Sequence, residues 1–301
     1  MDPLKELKGF DAGHQLALIK KIGGRDLVDA ILRDEKTIVV KDAVRTLLDK
    51  HGLCISSVLD ITSQVENENK SFCAGQPEIN YRDILSWYKE IFPKGTKFIE
   101  ASKFEDLAEF SREKILQNHQ ISNLFQRAHM PVPFPKYQID DSGTALQDFY
   151  LPAVERSYNL KFPNKKFNNY MDGKLEKQVS ILPNFGNNKF LAKMATGGFF
   201  WFFAHPLQGF CINAQREAMG VLTQYELGLS GTIVNSLATA GFPSELVGSF
   251  NTPGMFCSGD FWGSSDYSLY FDANDDFLIF GCTGILAHPN EVLSGGLFFF
   301  G

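Results

Sequence analysis

Residues 198–204 have the sequence GFFWFFA, in which five consecutive aromatic side chains stand between two small residues. A short aromatic run of this kind is typical of a buried strand. We therefore expect Trp201 to lie in the core. The apolar stretch around it, residues 197–207, has 11 residues, whereas a membrane-spanning helix needs about 20. The run therefore predicts a strand of a folded core and no membrane segment.

The composition of the chain changes near residue 181. Residues 181–301 contain 17 of the 26 glycines and 17 of the 28 phenylalanines, but only three basic residues, Lys189, Lys193 and Arg216. Their nine acidic residues give this segment a formal charge of −6, whereas residues 1–180, with 26 basic and 26 acidic residues, have a formal charge of zero. Strand-like runs that alternate with glycine-containing turns indicate a β-rich, acidic segment.

Several elements of this back segment can be placed by pattern. We expect a helix over residues 233–240, with Ser230 as its N-cap, and a β-hairpin over residues 267–280. The chain ends in LFFFG, residues 297–301, and an apolar end of this kind is normally paired into a sheet. Strands are expected at residues 179–182, 190–195 and 198–204.

The front of the chain is dominated by helical patterns. Asp11 is a suitable N-cap for a first helix, because its carboxylate can accept from an orphan backbone N–H, and Gly23-Gly24 ends that helix. The second short helix and its flanks carry at least as many acidic as basic side chains, whereas a helix that reads DNA faces phosphates and needs basic ones. We therefore interpret the two helices as a packed hairpin and not as a DNA-reading motif. The apolar side of this second helix lies at residues 27–32. Further helices are expected at residues 41–50, 81–92, 103–117 and 144–158 (with Pro152 as its start or a kink), and strands at 37–40 and 97–100.

The N-terminal hairpin carries a resemblance. Residues 9–32, GFDAGHQLALIKKIGGRDLVDAIL, resemble the opening of a group of uncharacterised bacterial proteins, in which a Phe-Asp-x-x-His-Gln helix runs into an Ile-Gly-Gly turn and a second helix. The resemblance covers about the first 40 residues and extends faintly to residues 229–246 and 266–281. It implies a bacterial source and no particular activity or catalytic residue.

These patterns together predict an α+β fold. We expect a helical domain over residues 1–133, with a polar linker at about 64–80, and a β-rich aromatic, acidic domain over residues 134–301 with one or two packed helices. The boundary is set at the proline-rich run of residues 130–136, which cannot be helical because proline lacks an N–H and restricts its neighbours.

Composition also excludes some functions. A net charge of −6 argues against a nucleic-acid partner, since such partners require clustered Lys and Arg. The five cysteines are at least 19 positions apart, which argues against a CxxC metal site and a disulfide scaffold. The N-terminus lacks a signal-peptide pattern. We expect a soluble cytoplasmic protein with no membrane partner and no cofactor.

Cysteine–histidine catalysis is the sharpest enzyme hypothesis. Cys257 lies in FCSGD, residues 256–260, so Asp260 could orient a histidine, and His205 or His288 could act as the base. A buried structural cysteine is the competing interpretation. Two other motifs are incomplete: Ser230 lacks the G-x-S-x-G context of a hydrolase, and residues 272–283 lack the glycine and glutamate of a calcium loop, so we expect no metal.

A binding surface is the remaining hypothesis. Asp260, Trp262, Asp266 and Tyr267 lie in DFWGSSDY, where aromatic side chains stand among small polar residues and suit ligand or protein contacts. The competing interpretation is that Trp262 packs onto the core. From the sequence we expect a non-enzymatic intracellular binding or accessory protein, with a protein or small-ligand partner at the C-terminal domain. The alternative is a small cysteine- or histidine-dependent hydrolase or transferase.

Overall fold

The computed structural model describes residues 11–37, 46–66, 73–183, 185–249, 252–289 and 292–300. The chain divides into two compact units, Met1–Val44 and Arg45–Gly301. The fold class is α+β, as the sequence predicts. The expected strand at 37–40 lies outside the described residues, apart from Thr37.

The expected domain boundary at residue 133 falls inside a strand of the second unit. This strand, β1 (His129–Phe134), pairs along its whole length with the GFFWFF strand. Hydrogen bonds also cross the boundary. The hydroxyl of Tyr88 donates to the carbonyl of Leu237 (2.7 Å), and the indole N–H of Trp201 donates to the carbonyl of Ala108 (3.0 Å). Residues on both sides therefore share one core. The division into domains at residue 133 stays a prediction.

The described part of the first unit is a helical hairpin, α1 (Ala12–Ile22) and α2 (Arg25–Leu32). Asp11 caps α1, because its carboxylate accepts from the backbone N–H of His14 (2.9 Å). Gly23 ends the helix with φ +118°, a left-handed conformation that glycine adopts without steric cost. The expected Asp11 cap and the expected end of the helix at Gly23-Gly24 are both confirmed.

The second unit contains the remaining elements. Its helices are α3 (Tyr81–Ile91), α4 (Ala101–Gln117), α5 (Ser142–Ala145), α6 (Leu151–Lys161), α7 (Asn187–Met194), α8 (Ile212–Leu222), α9 (Thr232–Gly241) and α10 (Pro243–Leu246). After β1, its strands are β2 (Lys166–Asn169), β3 (Val179–Ile181), β4 (Gly198–Phe203), β5 (Leu227–Leu229), β6 (Gly254–Phe256), β7 (Asp260–Trp262), β8 (Ser268–Ala273), β9 (Phe277–Thr283), β10 (Leu293–Gly295) and β11 (Leu297–Phe299).

A four-stranded antiparallel sheet in the order β1-β4-β11-β5 forms the centre of this unit. Trp201 of β4 pairs with Pro131 on one side and with Phe299 on the other, and it is fully buried. Pro131 and Pro133 are two positions apart, so both missing N–H groups face the same side of β1. That side is the open edge, where a strand tolerates proline. The expected pairing of the apolar run 297–301 into a sheet is confirmed for Leu297–Phe299, which form the inner strand β11.

The second sheet has five strands in the order β10-β6-β8-β9-β2. The expected hairpin is confirmed as β8 and β9, which pair antiparallel from Ser268↔Thr283 to Ala273↔Leu278. Its turn is closed by Asn274, whose side-chain oxygen accepts from the backbone N–H groups of Asp276 and Phe277 (both 2.9 Å). This local closure accounts for the amide side chain at position 274. A separate two-stranded ladder joins β3 and β7.

Four expectations for local structure are wrong. Residues 190–194 belong to α7, with Ala195 as its C-cap, and do not form a strand. Phe190 and Met194 are buried four positions apart, as the helical period requires. Within the described part of the expected 41–50 helix, Leu48 instead makes an isolated bridge with Cys54. The third error is at residues 97–100, which form no strand. Helix α8 is a separate omission, because no element was expected over its residues.

The fourth correction concerns the start of α9. The N-cap position belongs to Gly231 and not to Ser230. The hydroxyl of Ser230 is buried without a hydrogen-bond partner among the described residues. The helix around Pro152 does run as expected, with a π-helical turn at Leu146–Tyr150 before α6.

Candidate functional site

Cys257 lies in the segment that connects β6 to β7, and its side chain is buried. Its backbone N–H donates to the carbonyl of Leu269 (2.8 Å), and its sulfur lies 3.4 Å from the side-chain nitrogen of Asn235. Burial, reinforced by the charge of Asp260, raises the pKa of the Cys257 thiol well above its usual value. The thiolate that catalysis needs is therefore disfavoured at this position.

The two histidines proposed as its base have opposite environments. His205 is fully buried, and burial together with the charge of Arg127 lowers its pKa to about 3. Neither ring nitrogen of His205 has a hydrogen-bond partner among the described residues. His288 is exposed. Burial thus keeps both the Cys257 thiol and the His205 imidazole neutral, which is the reverse of an activated thiolate–imidazolium pair.

Asp260 is buried and acts as the cap of α9. Its carboxylate accepts from the backbone N–H and from the hydroxyl of Thr232 (2.8 Å for the hydroxyl). Burial raises its pKa to about 7, against the lowering effect of these bonds and of Arg216. Gly231 leaves room for the carboxylate, since a Cβ there would lie 2.6 Å from Asp260 Oδ2. Sequence reasoning missed this structural role.

The other three predicted ligand-binding residues lie together around the β7–β8 turn. The indole N–H of Trp262 donates to the carbonyl of Lys174 (2.9 Å), and its half-buried ring meets that of Tyr267 edge to face at 5.9 Å. Tyr267 is 43% exposed. Asp266 borders a shallow cleft of about 430 Å³ together with Arg216. Their role as a binding site stays a prediction.

A different cleft combines lysine side chains with aromatic rings. The sequence did not single it out. It has a volume of about 510 Å³ and lies between α4, α7 and the end of the central sheet. We call it the lysine–phenylalanine cleft. It is defined by Lys114, Lys189, Lys193, Glu226, Phe298 and Phe300, together with Gly186 and Gly228.

Aromatic rings form the apolar part of this cleft. The rings of Phe298 and Phe300 meet at 5.0 Å between centroids, and Phe190 stacks on Phe300 at 5.5 Å. Gly228 lets the Phe298 ring lie directly against the backbone of β5, since a Cβ there would fall 2.1 Å from the ring. The cleft therefore has an aromatic wall formed by Phe298 and Phe300, with Phe190 packed on Phe300.

Lysines supply the charge of the cleft. Lys189 is exposed, four residues before Lys193 on the same side of α7, and makes no ion pair with another described residue. The ammonium of Lys193 lies 4.9 Å from the centroid of Phe300. Lys114, from α4, forms an ion pair with Glu226 and lies 5.4 Å from the centroid of Phe299.

One feature of the sequence could have pointed to these lysines, namely the scarcity of basic residues in the back segment. Only three basic residues occur after residue 180, and two of them, Lys189 and Lys193, line this cleft. Three lysines and one glutamate make the cleft locally cationic within an acidic segment. The arrangement can hold an anion beside an apolar surface, through charge attraction and ring contacts.

No family model, no curated protein and no solved structure matches this chain. Membership of the bacterial group that shares the N-terminal hairpin therefore stays a prediction. In the part of the chain that the structure describes, no helix has the length and apolarity needed to cross a bilayer. In the same part, no cluster of three or more His, Cys, Asp or Glu side chains is arranged to hold a metal ion.

Proposed function

We propose that this chain is a non-enzymatic binding protein whose Arg45–Gly301 unit holds an anionic ligand with an apolar body in the lysine–phenylalanine cleft. The observation that carries the proposal is Lys189, an ammonium without an ion-pair partner among the described residues at the edge of an aromatic cavity. Its volume of about 510 Å³ is within the range of small-ligand sites, roughly 300–1,000 Å³.

The physical argument combines two contributions. A ligand's apolar body would remove the partly exposed ring of Phe300 from water, at roughly 25 cal/mol per Å² of apolar surface buried. The ring of Phe298 is already buried and supports Phe300 from behind at 5.0 Å between centroids. The ligand's anionic group would meet Lys189 beside a low-dielectric aromatic wall, where a charge interaction is stronger than in open water. Neither contribution alone gives specificity, but together they favour ligands that carry both features.

The alternative, a cysteine- or histidine-dependent hydrolase or transferase, has less support. Burial disfavours the charged forms of both Cys257 and His205. We also propose that the protein acts in the cytoplasm of a bacterium. The five cysteines are free thiols, and Cys73 is exposed, as suits a reducing compartment.

Titration with 8-anilinonaphthalene-1-sulfonate, an aromatic anion that fluoresces in apolar sites, tests the cleft. We expect the wild type to bind it, and Lys189→Glu to bind at least about tenfold more weakly, the equivalent of about 1.4 kcal/mol. Lys89→Glu is the matched control, because Lys89 is exposed on α3 and does not line the cleft. Circular dichroism and thermal melting confirm that each variant is folded, since loosely packed states also bind this dye.

Two results would overturn the proposal. One is a folded wild type that does not bind the dye. The other is equal affinity in the wild type, Lys189→Glu and Lys89→Glu, which would locate the dye elsewhere on the protein.

A further inference from the structure

A second cavity adjoins the lysine–phenylalanine cleft. It has a volume of about 540 Å³, and Lys193 lines both cavities. Its wall again combines aromatic and aliphatic side chains with charged ones, here two lysines and Glu100. It includes Phe98, Lys103, Leu107, Phe134, Lys193 and Phe199.

Helix α4 runs along both cavities. Lys103 and Leu107 line the second cavity and Lys114 lines the first. Spacings of four and seven residues place all three side chains on one side of a helix. Eleven residues of helix span about 16 Å. We refer to the two neighbouring cavities together as the groove, because α4 borders both of them and Lys193 of α7 lines both.

The charges are distributed along this groove and do not converge on one point. Lys103 and Lys189 line different cavities, and neither makes an ion pair with another described residue. Four lysines and two glutamates line the two cavities together. A single compact anion would use one end of such a groove, whereas a chain with several acidic side chains could use all of it.

We propose that the groove binds an extended acidic segment of a partner protein, with an aromatic or aliphatic side chain of that segment in the lysine–phenylalanine cleft. This inference rests on the proposed function, because it names the class of ligand that the cleft takes. An extended chain advances about 3.3 Å per residue, so five or six residues cover the groove. Ionic screening over about 8 Å at physiological salt lets the local lysines outweigh the distant acids of the net-acidic chain.

Acidic hexapeptides test the inference. An array of Glu-X-Glu-X-Glu-X peptides, with Phe, Tyr, Trp, Leu, Ile or Val at X, is screened with the full chain, and the best binder is measured by fluorescence anisotropy. We expect that peptide to bind at least roughly fivefold more tightly than its N-terminal tripeptide and than its Gln-for-Glu counterpart, since both lose charge contacts.

The variant Lys103→Glu separates the inference from the proposed function. We expect it to weaken hexapeptide binding while leaving the affinity for 8-anilinonaphthalene-1-sulfonate unchanged, because Lys103 lies in the second cavity only. Dye binding without any hexapeptide preference, or hexapeptide binding that Lys103→Glu leaves unchanged, would overturn the inference alone. Loss of dye binding in the wild type would overturn the proposed function as well.

A second copy of the chain is the competing occupant. Analytical ultracentrifugation of the wild type and of Lys103→Glu distinguishes the two cases. A wild-type monomer is the expected result. A dimer that Lys103→Glu dissociates would show that the groove binds another copy, and would overturn the assignment to a separate acidic partner.

Discussion

The hydroxyl of Thr232 donates to the carboxylate of Asp260 at 2.8 Å, and the backbone N–H of Thr232 donates to the same carboxylate. A side chain 28 positions away in sequence thus caps α9, a helix whose residues from Thr232 to Ala240 are all buried. The cap is itself buried, and this makes it sensitive to pH.

Stability should depend on pH through Asp260. Burial raises its folded pKa from 3.8 to about 7, so between these values the folded state holds a proton that the unfolded state has released. The contribution of Asp260 to the free energy of unfolding is therefore present below about pH 4 and is lost as the pH rises to about 7. We expect the wild type to lose stability relative to Asp260→Asn over this window.

Urea denaturation of both proteins at pH 4.5 and pH 7.5 measures this difference. The expected change is on the order of 1–3 kcal/mol, because one pKa unit corresponds to about 1.4 kcal/mol. Asp260→Asn keeps the shape of the side chain without the titration. A difference between the two proteins that stays constant with pH would show that the Asp260 carboxylate does not titrate in this range.

Removal of the Trp201 side chain should destabilise the second unit strongly. The ring is fully buried in the inner strand β4, and its N–H donates to the carbonyl of Ala108. We expect Trp201→Ala to lower the free energy of unfolding by about 3–5 kcal/mol. Trp201→Phe should cost less, since it keeps part of the ring contacts but leaves the Ala108 carbonyl without its donor. A thermal melt unchanged by Trp201→Ala would contradict the placement of the core.

Deletion of residues 297–301 should abolish soluble expression. The deletion removes β11, which pairs with β4 on one side and β5 on the other. Strand β5 would lose its partner in this sheet, and β4 would keep only β1. The deletion would also expose the ring of Phe190, which packs on Phe298 and Phe300. The comparison is the soluble fraction of the truncated and full-length chains. A soluble truncated chain with the wild-type melting temperature would refute the prediction.

Thiol labelling separates a structural Cys257 from a catalytic one. Burial raises the pKa of the thiols of Cys54 and Cys257, whereas Cys73 is exposed. We expect iodoacetamide to label Cys73 rapidly in the folded protein, and to label Cys54 and Cys257 only after unfolding. Mass spectrometry of the labelled peptides reports each site, and Cys73→Ser is the control for the rapid phase. Rapid labelling of Cys257 in the folded wild type would support the enzyme hypothesis.

Short-range patterns were sufficient for much of the fold. The Asp11 cap, the Gly23 stop and the hairpin turn at Asn274 each depend on contacts within a few residues, and all three were predictable. The prediction of a strand at residues 190–195 was wrong because a short apolar run fits both the helical and the strand period. The run became the helix α7 with Phe190 and Met194 facing the core.

The candidate site shows more clearly how much the sequence alone can predict. Composition alone revealed that cations are scarce after residue 180, and the apolar end of the chain indicated a paired strand. That Lys114 of α4, Lys189 of α7 and Phe300 line one cleft was decided only by the tertiary structure. Likewise, nothing near Asp260 in the sequence indicates that it caps α9. Local patterns follow from the backbone and its nearest neighbours, whereas a site assembled from distant segments depends on how their apolar faces pack together.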